Sequence, residues 1–304
     1  MWSLVEGANL GWFRRAALVA TAILVGWLSS AGAVGAAPAL WLVRDQDSEI
    51  YLFGTLHALP AGLSWRTPLY DAAYARAHTV WFEADLSGAD PRTIGDIVRR
   101  YGVDPGAPLS RKLPAADLRA LSQQVDLARI DHLRPWAVAL MLSVRGAAAG
   151  GAQVQKGADL AVTRTATRDA KPMRAFETLE DQARMFASLS NAAEVQYLSD
   201  VIREQGRRRA RLTLAASGES LQQAWISGDV ERLAPGLVGD MRRENPSLYD
   251  ALLRRRNLAW TDALVRQMAG SGVELVNVGA LHLIGEDGLP ALLQARGFEV
   301  TRVQ

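Results

Sequence analysis

Apolar and polar positions alternate in two different periods near the start of the chain. The apolar run ALWLV (39–43), the turn DQDSE and the run IYLFGTL (50–56) together predict a β-hairpin. TPLYDAAYARAH (67–78) has helical spacing, with Thr67 placed as the N-cap and Pro68 at the first helical position. TVWFEADL (79–86) is rich in β-branched and aromatic residues and predicts a strand.

Two long blocks with three- and four-residue apolar spacing follow, over 90–170 and 191–270. The helical segments of the first block are PRTIGDIVRRYG, PAADLRALSQQVDLARI, RPWAVALMLSVRGAAAG and KGADLAVTRTATRDA. Between the blocks, KPMRAFET (171–178) predicts a strand and LEDQARMFASL a helix. The second block ends in a helix predicted over about 247–269.

The last segments return to alternation between strand and helix. VELVNVG predicts a strand, DGLPALLQARG a helix that stops at Gly297, and FEVTRV a final strand. Strands that alternate with helices at both ends of the chain favour parallel pairing. We therefore predict an α/β fold with a mostly parallel central sheet, an N-terminal hairpin and two long helical insertions, in one domain over 37–304.

The N-terminus has the organisation of an export signal. Arg14 and Arg15 precede the apolar stretch AALVATAILVGWLSSAGAVGAA, and small residues offer cleavage sites between Ala33 and Ala37, with Ala36 a suitable choice. We interpret 1–36 as a signal peptide and the protein as exported, in a bacterium to the periplasm. The alternative is an uncleaved anchor, since Ala16 to Leu28 approaches the length of a membrane span.

Composition excludes several classes of function. The chain has 304 residues, a net charge of +2 and no cysteine, so disulfides, thiolate metal sites and a cysteine nucleophile are absent. A near-neutral charge balance gives no reason to expect nucleic acid as a partner. The sequence also lacks a Gly-x-Ser-x-Gly elbow, an H-E-x-x-H motif, a Walker A loop and a dinucleotide fingerprint.

Two of the four histidines stand in the same four-letter word, Gly-x-Leu-His, at the ends of predicted strands. The words are Gly54 to His57 in YLFGTLH and Gly279 to His282 in VNVGALH. Ligands bind at the carboxyl ends of parallel strands, and glycine there allows close approach of the backbone. Neutral imidazole is a good ligand for divalent transition metals. A turn-capping role is the alternative for each histidine taken alone.

Carboxylates are needed to complete such a metal site. Glu83 lies in the strand TVWFEADL, and it falls near the same sheet edge if that strand lies beside the one that ends at His57. Glu177 ends the strand KPMRAFET and is a second candidate. Either one is a candidate ligand or general base toward a metal-bound water. Arg256 and Asn257, in the helix before the last histidine, are candidates for a positive charge and an amide, or else lie on the helix surface.

These motifs resemble the TraB/GumN family, within the wider group that includes the Tiki membrane proteases and PrgY-type pheromone-shutdown proteins. The resemblance runs from about Leu40 to Val303 through YLFGTLHALP, VWFEADL, LRPWAVALML, KGADLAV, KPMRAFETLEDQ, RRRNLAWTDAL and VNVGALHLIGEDGLPALLQARGFEVTRV. It implies an α/β fold with His57, His282 and Glu83 at one centre, joined by the Arg256–Asn257 pair. It also implies metal-dependent proteolysis, with Mn or Co as the usual ion.

The leading hypothesis is an exported metal-dependent hydrolase of peptide or protein substrates, with Mn, Co or Zn held by His57, His282 and Glu83. Glu83 or Glu177 would take the proton and Arg256 would stabilise the oxyanion. The alternatives are a non-catalytic protein of the cell envelope that binds a peptide, haem or metal, and a structural partner of envelope machinery. The N-terminal segment is the only expected membrane contact. The sequence leaves open whether one chain or a dimer forms the site.

Overall fold

The structure is a computed structural model that describes residues 37–85, 90–213, 221–229 and 238–304. The segment interpreted as a signal peptide lies outside the described residues. Within the described ranges, no helix is both long and apolar enough to cross a membrane. Residues 36–304 group together as one unit of contacts.

A six-stranded sheet organises the described chain, with the strand order β6-β4-β7-β2-β1-β8, and a second sheet consists of β3 and β5. The strands are β1 (Leu40–Arg44), β2 (Ser48–Thr55), β3 (Leu59–Pro60), β4 (Thr79–Asp85), β5 (Ala152–Gln153), β6 (Met173–Thr178), β7 (Gly272–Gly279) and β8 (Glu299–Arg302). β1 is antiparallel to β2 and to β8, whereas β2, β7, β4 and β6 are mutually parallel. The predicted hairpin and the mostly parallel sheet are confirmed.

Strand register brings the two Gly-x-Leu-His words side by side. β2 and β7 are neighbours, and Thr55 pairs with Gly279 at their carboxyl ends. On the other side of β7, Phe82 of β4 pairs with Asn277. The strand of Glu83 is therefore next to the His282 strand, and the condition that it lies beside the His57 strand is not met, because β7 lies between the two.

The helices are α1 (Pro68–Arg76), α2 (Pro91–Tyr101), α3 (Leu109–Lys112), α4 (Ala115–Ser122), α5 (Pro135–Ala149), α6 (Ala158–Arg168), α7 (Leu179–Ala187), α8 (Asn191–Thr213), α9 (Leu221–Ile226), α10 (Asp240–Glu244), α11 (Pro246–Tyr249), α12 (Arg255–Met268) and α13 (Leu289–Ala295). Helices α2 to α6 form the first insertion, and α8 to α12 belong to the second. Both predicted helical insertions are thus present.

Local signals explain several helix boundaries. The Thr67 hydroxyl accepts a hydrogen bond from the Tyr70 amide, as expected of an N-cap before Pro68. Gly297, two residues beyond α13, has φ +92°, a conformation that glycine adopts without steric cost. Both predictions from the sequence are confirmed.

Two predicted helices are wrong in extent. The helix predicted over 114–130 ends at Ser122, and only a 3₁₀ turn over Leu127–Arg129 follows. The helix predicted over 247–269 is α11, a π-helical turn (Asp250–Arg254) and α12. The π turn shifts the phase of the helix directly before Arg256, and such turns are frequent at functional sites.

Alternating residues of the central strands supply two apolar cores, one on each face of the sheet. Tyr51 and Phe53 pack with side chains of α1 and α6. Ile50 and Leu52 pack on the opposite face with side chains of α12 and α13. Helices on both faces leave the carboxyl edge of the parallel strands as the place where polar side chains collect.

Candidate functional site

The candidate site lies where β2, β7, β4 and β6 end, and it brings together the histidine, glutamate, arginine and asparagine side chains that the sequence analysis named as candidates. Gly279 marks the point of convergence. A Cβ at this glycine would lie 3.2 Å from Glu83 Oε2, 3.6 Å from His282 Cδ2 and 3.8 Å from His57 Nε2. Any larger residue at 279 would therefore occupy space between the two imidazoles and the carboxylate.

The two motif glycines make different close approaches. Gly279 leaves room in front of the functional side chains, and its amide donates to Glu83 Oε2 at 3.0 Å. Gly54 instead packs against the chain that carries the second motif, since a Cβ there would lie 2.9 Å from Ala280 Cα. Trp225 Nε1 also donates to the Gly54 carbonyl at 2.7 Å. Gly54 thus allows the two motifs to pack closely together, whereas Gly279 leaves space within the site.

Arg256 is the hub of the charged cluster. Its guanidinium binds both oxygens of Glu177 at 2.8 Å, from Nε and Nη2, and Nη2 also donates to Glu83 Oε1 at 2.7 Å. Nη1 donates to the Leu252 carbonyl at 2.8 Å and lies 3.2 Å from His282 Nε2. The five N–H donors of an arginine are all used in this arrangement.

The side chain of Arg256 is almost fully enclosed. Only 10% of it is exposed, and its guanidinium carbon lies 4.7 Å from the centroid of the Trp260 ring. Burial alone would lower the pKa of Arg256, but Glu83 and Glu177 together raise it. The charge is therefore permanent, and it compensates two carboxylates that would be costly to bury alone.

His282 is held as a neutral ring with a defined tautomer. Because a guanidinium can only donate, His282 Nε2 accepts from Arg256, and Nδ1 carries the proton. That Nδ1–H donates to Asn257 Oδ1 at 2.6 Å. The Asn257 amide is itself oriented by donation from Nδ2 to the Asp287 carbonyl at 2.6 Å. Burial lowers the pKa of His282 to about 3, which outweighs the attraction of Glu83.

His57 has the opposite character. Its side chain is 64% exposed, and its Nδ1 lies 2.9 Å from Asp159 Oδ2. The hydrogen bond to Asp159 raises the pKa of His57 to about 9, against the effect of burial by its neighbours. The site therefore joins a neutral, buried imidazole to an exposed imidazole that is protonated near neutral pH in the protein without metal.

Glu83 is an anion with three donors. Oε1 accepts from Gln182 Nε2 at 3.0 Å as well as from Arg256, and Oε2 accepts from the Gly279 amide. Burial would raise the pKa of Glu83, but His282, Arg256 and His57 hold it well below the ordinary range. Since His282 is neutral at pH 7, the positive charges of Arg256 and His57 have the larger share in this at that pH.

Glu177 and Asn257 occupy supporting positions. Both oxygens of Glu177 bind Arg256, and Oε1 also accepts from Trp260 Nε1 at 3.2 Å. Asn257 binds His282 and is 1% exposed. The alternative that Arg256 and Asn257 lie on the helix surface does not hold, because both side chains are enclosed within the site.

Sequence reasoning missed three residues of this site. Asp159 is the second residue of α6, in the segment KGAD, where an acidic residue also suits the positive end of a helix. Gln182 lies in α7 and Trp260 in α12, and nothing in their local patterns separates them from ordinary helix residues. The Trp260 ring lies 4.4 Å from that of His282, between centroids.

The donor set fits a divalent ion in type and tautomer. Each imidazole has its Nδ1 bound to an oxygen of a second residue, which is the usual arrangement for a histidine that ligates through Nε2. Glu83 supplies a buried carboxylate, and its Oε2 lies 3.8 Å from His282 Nε2. As the side chains stand, the described residues contain no group of three or more His, Asp or Glu arranged to hold a metal. Arg256 occupies the His282 Nε2 lone pair in this arrangement.

Fold and site together define an α/β protein that carries two histidines and a buried carboxylate–guanidinium cluster at the carboxyl edge of a mostly parallel sheet. The sequence profile of the TraB/PrgY/gumN family matches residues 39–302, and the chain belongs to this family.

The relatives found by sequence include two proteins named "Uncharacterized protein YbaP", from Escherichia coli (strain K12) and Shigella flexneri. Each is 32% identical to the chain over 183 residues, which is 59% of this chain and 64% of the relative. The match thus spans less than two thirds of the length of these relatives. No solved structure matches the chain.

Proposed function

We propose that this protein is an exported metal-dependent hydrolase that cleaves peptide bonds. The observation that carries the proposal is the pair of imidazoles at the ends of β2 and β7. Each has Nδ1 bound to an oxygen, of Asp159 or Asn257, so that Nε2 is the nitrogen turned toward the centre of the site. At His282, an ion bound there would replace the Arg256 N–H that Nε2 accepts in this structure. Glu83 lies beside both rings as a permanent anion.

His57 Nε2, His282 Nε2 and Glu83 would hold the ion, for which Mn, Co and Zn are the candidates. A divalent ion in such a site supplies Lewis-acid polarisation of a carbonyl and lowers the pKa of a bound water. Three protein ligands leave positions open for water and substrate, as in other catalytic metal sites. These are the features that a hydrolytic site requires.

Arg256 is the candidate for oxyanion stabilisation. Four of its five donors are bound to Glu83, Glu177 and the Leu252 carbonyl, which fixes the plane of the guanidinium. The remaining Nη1–H faces His282 Nε2. This N–H becomes available to a substrate oxygen when the His282 lone pair is used elsewhere, and a preoriented donor of this kind favours the transition state.

Between the two candidate bases, the geometry favours Glu83. Both oxygens of Glu177 are bound to Arg256, so its role is to hold the guanidinium in place. Among the described residues, Glu83 Oε2 accepts only the Gly279 amide, and it faces the two imidazoles. Proton transfer would then pass through Glu83 Oε2, close to the space that Gly279 leaves open.

A second candidate function is binding of a peptide, haem or metal without turnover. One observation favours it: Glu83 already accepts three hydrogen bonds, and its pKa is held low, which makes it a weak base. Recovery of an intact peptide that stays bound in the presence of metal would select this function.

Metal content and peptide cleavage test the proposal together. The protein is stripped with a chelator, reloaded with Mn²⁺, Co²⁺ or Zn²⁺, and assayed by mass spectrometry on a mixture of unmodified peptides. We expect the loaded wild type to bind metal and cleave, and the variant His57→Ala/His282→Ala to lose both. The control is His132→Ala, an exposed histidine outside the site. Equal metal content in the double variant and the wild type would refute metal binding by His57 and His282.

Export has its own test. If 1–36 is a cleaved signal, the protein recovered from the periplasm of a bacterial host begins near Ala37. Replacement of Arg14 and Arg15 by glutamate reverses the charge before the apolar stretch and is expected to keep the full-length chain inside the cell. A full-length chain in the membrane fraction would instead support the uncleaved anchor.

A further inference from the structure

We propose that Asp159 is a positioning residue that sets the tautomer of His57, and that the segment Gly157–Asp159 holds the His57 loop in place. The effect of Asp159 on metal binding and turnover rests on the proposed function. Its effect on the tautomer of His57 does not. The two residues are 102 positions apart in the chain and come from different elements. His57 follows β2, and Asp159 lies in the first turn of α6.

The segment before Asp159 is built to approach the His57 loop closely. A Cβ at Gly157 would lie 2.4 Å from the His57 carbonyl oxygen and 2.6 Å from Asp159 Oδ1, so only glycine fits there. Gly157 has φ −50°, which any residue can adopt, and the requirement is therefore for space. The next amide, of Ala158, donates to the Leu56 carbonyl at 2.9 Å. The backbone directly before His57 is thus hydrogen-bonded to the start of α6.

Among the described residues, His57 is the only hydrogen-bond partner of the Asp159 carboxylate. An acidic residue in the first turn of a helix often caps it, but the N-terminus of α6 has no side-chain cap. Oδ2 lies 2.9 Å from His57 Nδ1, while Oδ1 is buried and has no hydrogen-bond partner among the described residues. Burying a carboxylate oxygen without a partner is costly, so the gain from this position has to come from somewhere other than capping.

Stability alone does not account for the pair either. The His57 side chain is 64% exposed, and ion pairs at that exposure contribute little to folding. A carboxylate, however, can only accept, so Nδ1 of His57 must keep its proton as long as the pair is formed. Nε2 is then the only ring nitrogen that can be free, and it is the one that faces Glu83 and the space in front of Gly279.

Each histidine of the site therefore has an oxygen acceptor that fixes its tautomer in the same way. Asn257 Oδ1 accepts from His282 Nδ1, and Asp159 Oδ2 accepts from His57 Nδ1. The two acceptors come from α12 and α6, which belong to the two helical insertions. Each insertion thus supplies one acceptor to the edge of the sheet, and a complete site requires both.

The experiment compares Asp159→Asn with Asp159→Ala. Asparagine keeps the shape of aspartate, but its amide can donate to a ring nitrogen, so it permits the tautomer with the proton on Nε2. A residue that only fills space or holds the loop would tolerate asparagine better than alanine. If Asp159 sets the tautomer of His57, Asp159→Asn should lower metal affinity at least as much as Asp159→Ala. The control is Asp71→Asn, which removes another first-turn carboxylate, that of α1, whose ion-pair partner is Arg66.

The first readout is the ¹⁵N imidazole spectrum of His57 in metal-free protein, at a pH where the ring is neutral. We expect the proton on Nδ1 in the wild type and in Asp71→Asn, and a shift toward Nε2–H in Asp159→Asn. An unchanged tautomer in Asp159→Asn would overturn the proposal, whether or not the protein binds metal.

The second readout is Mn²⁺ affinity by calorimetry, with peptide cleavage measured in parallel. Loss of a residue that orients a metal-binding histidine typically lowers affinity or activity 10- to 100-fold, and we expect about this loss in both Asp159 variants. Asp71→Asn should bind as the wild type does. Wild-type affinity in Asp159→Asn would overturn the positioning role. A wild type that binds no metal would instead refute the proposed function, and the imidazole spectrum would still decide the role of Asp159.

Discussion

Nη1 of Arg256 lies 3.2 Å from Nε2 of His282, and this contact fixes the tautomer of the ring. Because arginine cannot accept a hydrogen bond, His282 must present a lone pair to it and donate from Nδ1 to Asn257. A buried histidine next to a permanent positive charge stays neutral. Nε2 of His282 is thus the ring nitrogen that faces the charged cluster, with Arg256 as its donor.

The first prediction concerns the stability of the Arg256 cluster. Arg256→Met leaves Glu83 and Glu177 buried without their shared cation, and this is expected to lower the free energy of unfolding by about 3–5 kcal/mol. Adding Glu177→Gln should recover part of the loss, because one uncompensated charge is removed. Urea denaturation of the two variants and the wild type measures both effects.

The matched control for this cluster is Arg254→Met. Arg254 lies two positions earlier, is 50% exposed and pairs with Asp250. Its replacement should change the free energy of unfolding by less than about 0.5 kcal/mol. Similar losses in Arg254→Met and Arg256→Met would contradict the assignment of Arg256 as the hub.

The second prediction separates the two motif glycines. Gly54→Ala places a methyl group 2.9 Å from the backbone of Ala280, and overpacking of this kind costs about 1–3 kcal/mol of stability. Gly279→Ala meets only side chains, the nearest being Glu83 Oε2 at 3.2 Å, and φ of Gly279 is −52°. It should change stability by less than about 1 kcal/mol and yet reduce metal binding.

Thermal unfolding and Mn²⁺ titration of the two alanine variants check this division. We expect the larger loss of stability in Gly54→Ala and the larger loss of metal affinity, relative to stability, in Gly279→Ala. The reverse order would show that the space before Gly279 is not part of the site.

The third prediction concerns the protonation of His57. In metal-free protein, NMR titration should give His57 a pKa of about 9, which Asp159→Asn lowers toward the ordinary range. The folded-state pKa is raised, so the contribution of the pair to stability is complete below about pH 6.5 and is lost as the pH rises through about 9. A His57 pKa that is the same in wild type and Asp159→Asn would contradict the paired geometry.

The fourth prediction concerns stability in acid. The pKa of His282 is lowered to about 3 by burial, so the unfolded chain binds this proton more readily than the folded one. Metal-free protein should lose up to about 1.4 kcal/mol of stability per pH unit through this residue as the pH falls from about 6.5 toward 3. Urea denaturation at several pH values should show a smaller slope for His282→Gln than for the wild type.

A slope that is the same in His282→Gln and wild type would mean that His282 is not buried as a neutral ring. The exposed His132→Gln serves as the control, because its side chain is open to solvent. A smaller slope in this variant as well would show that the effect is not particular to His282.

The sequence by itself determined the kinds of element and the place of the two motifs on them. Helical and strand periods are local properties, which is why α1, the hairpin and the strands β4, β6 and β7 were predicted close to their observed bounds. The same locality explains why Gly-x-Leu-His at two strand ends indicated one shared edge. Parallel strands in a sheet present their carboxyl ends together.

Strand order and partner choice were decided only by the tertiary structure. β7 lies between β2 and β4 because of pairing across the whole sheet, and no local pattern encodes that. The π turn directly before Arg256 is likewise a departure from the regular spacing on which the helix prediction rested. In the sequence, Asp159 has the pattern of an ordinary acidic residue in the first turn of a helix. Its meeting with His57 follows from the packing of α6 against the sheet, which brings together residues that are distant in the chain.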